Sequence, residues 1–188
     1  MSNLLETELR AHPATPASRV TAVRARLRRP GTNRLALRFE ILAPEGAVAL
    51  PPPVPPVRAD RLWETTCFEL FLRAPGRPDY LEINVSPSGR WAAYDFCAYR
   101  AGMVPAAVAA APALVLAVEP DRIVADIELS LDLADTPWRA GLCAIVEEAG
   151  FGRSYWAIDH AGPEPDFHHA GGAGAELPPP SARASPRA

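Results

Sequence analysis

The chain has 188 residues and a formal net charge of -3, so it is long enough for one globular domain with tails and is slightly acidic. An acidic balance gives no general attraction to nucleic acid or to an anionic membrane, and we expect neither as a partner. The 22 prolines argue against a helical protein, because proline interrupts helices, and they favour strands separated by turns.

The sequence carries no sign of export or of a membrane span. Residues 1–18 have acidic side chains where a signal peptide would have lysine or arginine, and they contain no apolar core segment. The alanine-rich stretch 104–118 contains prolines and is too short to cross a bilayer. Cys67, Cys97 and Cys143 lack the paired short spacing of a disulfide framework or a zinc site. These features predict a cytoplasmic protein with reduced cysteines.

The N-terminal third of the chain predicts an arm, a hairpin and a rigid connection. The first 18 residues show no sustained period and are expected to form an arm. Residues 19–27 and 34–42 alternate apolar and polar side chains around a turn at 30–33, which predicts a hairpin. The proline-rich stretch 43–61 cannot form regular ladder hydrogen bonds, so we expect it to cross between two sheets.

Further strand-like segments follow at regular spacing, at residues 63–72, 80–85, 90–99, 114–118, 122–131, 142–146 and 155–158. Strands at this spacing, without a long amphipathic helix, predict an all-β protein. We expect a jelly-roll-like β-sandwich of two antiparallel sheets with about nine or more strands, spanning residues 19–170. Residues 171–188 are rich in glycine, proline and alanine, so we expect a disordered tail there.

Two neighbouring strands of this set carry polar residues on one face. Alternate side chains of a strand point to opposite faces, so Glu82 and Asn84 share one face with Tyr80. Glu69 occupies the corresponding face of the preceding strand. If the two strands pair through the turn at 73–79, these polar side chains converge on one sheet surface beside aromatic rings. That surface is suited to holding a polar ligand.

Several segments resemble a known superfamily. They are LWETTCFELF at 62–71, YLEINVSPSGRW at 80–91, YDF at 94–96, YRAGM at 99–103, YWAIDH at 155–160 and PDFH at 165–168. The set resembles DOMON-like domains, within the superfamily that includes family 9 carbohydrate-binding modules, and is most similar to stand-alone bacterial proteins of undefined ligand. The resemblance implies a β-sandwich that binds a sugar or a haem on a concave sheet face.

A saccharide site requires flat aromatic faces and fixed hydrogen-bond partners. We therefore predict a non-catalytic domain that binds a small molecule, best explained as a saccharide, and that needs no cofactor. The predicted ligand-binding residues are Trp63, Glu69, Tyr80, Glu82, Asn84, Trp91, Trp156 and His160.

Three alternative hypotheses stay open at the level of sequence. The resemblance also implies binding of a b-type haem, for which Met103 and His160 are the candidate ligands. Glu69 and Glu82 are a candidate carboxylate pair for glycoside hydrolysis. The same sheet face is a candidate docking surface of a protein–protein interaction module.

The sequence gives little support for a bound metal ion. Asp166, His168 and His169 lie close together, but no recognised zinc spacing accompanies them. A structural calcium ion is implied only by the resemblance to sugar-binding proteins, and the chain has no dense Asp/Asn/Gly loop to hold it.

Overall fold

The computed structural model describes residues 4–169 and 174–180, and it confirms the predicted all-β sandwich. A 3₁₀ turn spans Leu62–Glu64. The strands are β1 (Leu4–Ala11), β2 (Ala22–Gly31), β3 (Arg34–Leu42), β4 (Val57–Arg58), β5 (Cys67–Arg73), β6 (Tyr80–Val85), β7 (Arg90–Phe96), β8 (Val104–Pro105), β9 (Ala113–Val118), β10 (Arg122–Ser130), β11 (Trp138–Glu148), β12 (Gly152–Ala157) and β13 (Ala175–Leu177).

The strands form two sheets that share β1. The first sheet has the order β1-β2-β3-β10-β9 and the second has the order β4-β7-β6-β5-β11-β12-β1. Short strands β8 and β13 pair with β7 and β11. Pairing is antiparallel throughout these strands except between β4 and β7. Strand β1 joins the sheets because its first part pairs with β2 and its last two residues pair with β12.

The main core lies between the two sheets. It is built from the apolar side of each alternating strand, as the period of two dictates. Phe39 of β3 and Phe68 of β5 are fully buried and stack with their ring centroids 4.9 Å apart, so this pair spans the gap between the sheets. Burial of this apolar area is the main force that holds the sheets together.

The meander of β5, β6 and β7 positions the polar residues singled out in the sequence. Glu69 lies opposite Asn84, and Phe71 lies opposite Glu82. Glu82 also lies opposite Tyr94 of β7. These side chains point away from the core, to the face of the second sheet that we call the outer face. A smaller apolar cluster covers part of that face.

The structure corrects three expectations about element boundaries. Residues 4–11 were expected to belong to an arm, but they form β1, because hydrogen bonding to β2 and β12 orders a segment whose own pattern is weak. The segment before Cys67 was expected to be strand, and it contains the 3₁₀ turn instead. Within the expected disordered tail, Ala175–Leu177 pairs with β11 and buries Leu177. Residues 170–173 and 181–188 lie outside the described residues.

Two further observations bear on the sequence analysis. No helix within residues 4–169 and 174–180 is long and apolar enough to span a membrane. All three cysteines are free thiols, with Cys67 and Cys143 buried and Cys97 exposed.

Candidate functional site

A cleft of about 420 Å³ opens on the outer face of the second sheet. Its volume is within the usual range for a small-molecule site. The residues that line it are Trp63, Glu69, Glu82, Phe96, Arg100, Met103, Ile145, Tyr155, Pro165, Phe167 and His168. Strands supply the floor, whereas the 3₁₀ turn, the segment after β7 and the loop after β12 supply the walls.

The floor contains two buried carboxyl groups. Glu69 and Glu82 are each only 4% exposed, and they lie on adjacent strands in diagonal positions. The Nδ2 group of Asn84 donates to Oε1 of Glu82 at 2.6 Å. Oδ1 of Asn84 is buried and accepts no hydrogen bond from the described residues. No described residue donates a hydrogen bond to the Glu69 carboxyl group.

Burial changes the protonation of both glutamates. Removal from water raises the pKa of Glu69 well above its usual value, and the nearby Glu82 raises it further. Burial also raises the pKa of Glu82, against the opposing effects of the Asn84 hydrogen bond and of Arg100. A proton held on this pair is thus favoured at pH values where an exposed glutamate is ionised.

His168 connects the floor to the wall of the cleft. The Tyr80 hydroxyl accepts from the backbone N–H of Arg100 at 3.2 Å and lies 2.8 Å from Nδ1 of His168. In the tautomer that carries its proton on Nε2, Nδ1 accepts a hydrogen bond from this hydroxyl. Nε2 lies 3.8 Å from Oε2 of Glu82. Burial, and then Arg100, lowers the pKa of His168 to about 4, so the imidazole is neutral at pH 7.

Aromatic rings from separate parts of the chain wall the cleft. Trp63 comes from the 3₁₀ turn, Tyr155 from β12 and Phe167 from the loop after β12, and each is half-buried. Phe96 lies below them and stacks on Tyr80 with a centroid distance of 4.7 Å and an interplanar angle of 6°. The cleft therefore offers flat apolar faces next to buried acids.

The backbone beside the cleft adopts an unusual conformation at two points. Among the described residues, Arg61 and Arg100 are the non-glycine residues with positive φ, at 61° and 51°. Arg61 immediately precedes the turn that carries Trp63, and Arg100 lines the cleft. Residues held in this region of backbone space cost energy and cluster at functional sites.

The structure does not bring all of the predicted ligand-binding residues together. Trp63, Glu69 and Glu82 line the cleft, while Tyr80 and Asn84 support it from below. Trp91 and Trp156 lie instead in the core between the sheets, because they occupy the opposite strand face. Arg58 covers the Trp91 ring at 4.4 Å, and the Trp156 indole donates to Ser154 at 2.9 Å within the core.

His160 does not line the cleft, but its ring lies 6.4 Å from the ring of Phe167, which does. Its Nε2 is 2.8 Å from the carbonyl oxygen of Arg10, and its ring packs edge-on against His12. Met103, the other candidate haem ligand, lines the cleft and is 54% exposed, whereas His160 is not among the lining residues. Among the described residues, no group of three or more His, Cys, Asp or Glu side chains is arranged to hold a metal ion.

Several residues at the cleft were missed by sequence reasoning. Phe96 could have been found, because strand alternation in β7 and a short turn to β6 place it opposite Tyr80. No strand alternation indicated Arg100, Ile145, Tyr155 or Phe167, although all except Ile145 lie in the segments that resemble the known superfamily. They reach the cleft through β11, β12 and two loops whose pairing is not encoded in local periodicity.

Comparison with known proteins adds information on the fold. Neither a scan against models of protein families nor a search of curated proteins found a match to this sequence. Among solved structures, a candidate carbohydrate-binding protein from Bacteroides uniformis is 16% identical, with a TM-score of 0.66 over 91% of this chain and 84% of that one. A family 9 carbohydrate-binding module from Caldicellulosiruptor kristjanssonii, solved with cellotriose, is 12% identical to this chain. Its TM-score is 0.51, over 83% of this chain and 73% of that one.

The chain shares the fold of these carbohydrate-binding structures. Identity this low shows a common architecture and no more. The sandwich predicted from the sequence is therefore confirmed by a second route, as a fold that this chain shares with a family 9 carbohydrate-binding module. The finer DOMON-like assignment stays a prediction.

The buried position of Glu69 leads to a prediction about stability. Its folded-state pKa lies above the unfolded value of 4.5, so its contribution to stability is complete below about pH 4.5 and is lost as pH rises through the folded-state pKa. We expect Glu69→Gln, which stays neutral, to be more stable than the wild type by about 1–3 kcal/mol at about pH 8, with the difference shrinking toward about pH 5. Urea unfolding at a series of pH values measures this.

The half-buried Glu147, on neighbouring β11, provides the matched control. We expect Glu147→Gln to change the stability little at any pH in this range. The lowered pKa of His168 affects the wild type and both variants alike, so it cancels in the comparison. Parallel stability curves for wild type and Glu69→Gln would show that Glu69 ionises as an exposed glutamate does.

Proposed function

We propose that this protein is a non-catalytic saccharide-binding domain whose ligand occupies the outer-face cleft. The fold supports this proposal, since two structures that share it are described as carbohydrate-binding, and one of them was solved with a glucose oligomer. The size of the cleft and the residues that line it support it independently.

The observation that carries the proposal is the placement of buried acids beside aromatic walls. A sugar ring has apolar C–H faces, which pack on flat aromatic rings, and hydroxyl groups at its edge, which need hydrogen-bond partners. Trp63, Tyr155 and Phe167 provide the flat faces. Glu69 and Glu82 provide acceptors at the floor, and the neutral imidazole of His168 provides a further hydrogen-bonding group. A ligand that lacks hydroxyl groups would leave these buried polar atoms unpaired, at about 1–3 kcal/mol each.

We assign Glu69 and Glu82 to ligand binding and not to hydrolysis, because the two structures that share the fold are described as carbohydrate-binding. Burial raises the pKa of both side chains, so the pair holds a proton and offers both a donor and an acceptor to the hydroxyl groups of a sugar.

Titration of a panel of mono- and oligosaccharides, followed by calorimetry and by tryptophan fluorescence, tests the proposal. For any sugar that binds, we expect Trp63→Ala to weaken affinity by about 30-fold or more, because it removes an aromatic wall. The thermal midpoint should change little, since Trp63 is half-buried on a short turn.

Trp138→Ala is the matched control for this experiment. Trp138 is also half-buried, but it lies on β11 outside the cleft, and its indole donates to the carbonyl oxygen of Ala134 at 3.2 Å. Its replacement should leave sugar affinity unchanged. The proposal fails if no sugar binds to the folded protein, or if the two variants weaken binding equally.

A further inference from the structure

We infer that the ligand of the outer-face cleft carries a cationic amine, so that an amino sugar binds in preference to its neutral counterpart. This inference rests on the proposed function for the saccharide part of the ligand. The cationic part rests on the charges that face the cleft floor.

The floor holds two acids and lacks a buried cation to balance them within the described residues. Glu69 is 4% exposed, lines the cleft and receives no hydrogen bond from any described residue. Glu82 is equally buried and receives only the amide of Asn84 at 2.6 Å, apart from the neutral His168 at 3.8 Å. Two carboxyl groups in one low-dielectric space cannot both ionise without a counter-charge.

The basic groups near the cleft are held elsewhere. Arg100 lies at the rim with its side chain 52% exposed, and its guanidinium pairs with Asp166 at 2.9 Å. Arg73 lies over the ring of Tyr80, with its guanidinium carbon 4.7 Å from the ring centroid. The titratable and charged groups that interact with the two glutamates or with His168 are Cys67, Arg73, Tyr80, Tyr94, Arg100, Cys143 and Asp166.

A proton relieves the charge repulsion in the free protein, and an ammonium group can replace that proton. An ammonium group donates up to three hydrogen bonds and brings a full positive charge, which stabilises both carboxylates at once. The aromatic walls add to this preference, because the face of Trp63, and less strongly that of Tyr155, attracts a cation. A neutral hydroxyl group donates one hydrogen bond and brings no charge, so the proton stays on the pair.

Matched pairs of ligands test the inference. Calorimetric titrations compare glucose with glucosamine, galactose with galactosamine, and mannose with mannosamine, at a pH where the amines are protonated. We expect at least one amine to bind about 10- to 100-fold more tightly than its neutral partner, the range for a hydrogen bond to a charged group. N-acetylglucosamine, which has the same ring but no charge, should lose this advantage.

Proton release provides a second readout. Binding of the amine moves the shared carboxyl proton to the buffer, so the observed heat should differ between buffers of different ionisation enthalpy. The neutral sugars should show no such difference. In Glu69→Gln one carboxylate remains and no shared proton is left to release, so the amine should lose part of its advantage and its heat of binding should no longer depend on the buffer.

The outcomes separate this inference from the proposed function. Equal or tighter binding of the neutral sugars overturns the cationic inference and leaves the saccharide proposal standing. Cyclohexylamine that binds as tightly as the best amino sugar overturns the saccharide proposal and leaves the cationic inference standing. Failure of every sugar, amino sugar and amine to bind the folded protein overturns both.

Discussion

Replacing Phe39 by alanine is expected to lower the free energy of unfolding by about 3–5 kcal/mol, the usual cost of removing a fully buried phenylalanine. Phe39 of β3 stacks on Phe68 of β5, and both side chains are closed to solvent. The truncation removes the contact that spans the two sheets and leaves a cavity that the surrounding strands cannot fill. Urea denaturation followed by circular dichroism measures the loss.

The exposed edge of the first sheet supplies the control for Phe39→Ala. Val115 of β9 is 69% exposed, so Val115→Ala should change stability by no more than about 0.5 kcal/mol. A loss below about 1 kcal/mol for Phe39→Ala would mean that the sheets are not packed through this pair.

Glu148→Ala is expected to destabilise the protein by about 3–5 kcal/mol, as loss of a buried charged partner does. The buried carboxylate of Glu148, at the end of β11, accepts hydrogen bonds from three successive backbone N–H groups: those of Ser18, Arg19 and Val20. The substitution leaves all three donors unpaired at the entry to β2. Thermal and urea unfolding should both show the loss.

Two control variants test whether the loss of stability comes from the buried carboxylate of Glu148. Glu147→Ala removes a carboxylate from the opposite face of the same strand and should cost less than about 1 kcal/mol. Glu148→Gln keeps an acceptor oxygen and should give an intermediate loss. If Glu148→Ala proves no more harmful than Glu147→Ala, the carboxylate does not anchor the segment before β2.

The two faces of the second sheet have opposite effects on the stability of the protein. Its inner face is apolar and closed, and it supplies much of the folding free energy through residues such as Phe68. Its outer face buries Glu69 and Glu82, which lowers stability at neutral pH. A protein keeps such a costly arrangement where a ligand makes use of it.

Much of the central meander could be predicted from local pattern. The alternation in residues 67–72 and 80–85, with a short turn between them, placed Glu69, Glu82 and Asn84 on one face, and the observed register confirms that placement. The hairpin of β2 and β3 was predicted for the same reason. Both depend on neighbouring strands, whose register follows from turn length.

Elements that depend on distant partners escaped prediction. Strand β1 has a weak pattern of its own and is ordered by pairing with both sheets. Trp91 and Trp156 were assigned to the ligand because of their residue type, whereas their strand faces place them in the core. A tryptophan serves either purpose, and the sequence alone does not say which face of a strand becomes buried.

The sequence by itself therefore determined the all-β class and the shared face of Glu69, Glu82 and Asn84, because strand alternation is a local property of the backbone. Only the tertiary structure decided that this face lies on the outside of the sandwich. It also decided that Trp63, Tyr155 and Phe167 wall the cleft on this face. The physical reason is that the cleft forms where a short turn, β12 and a distant loop meet the sheet. Contacts between segments so far apart in the chain leave no periodic signal in the sequence.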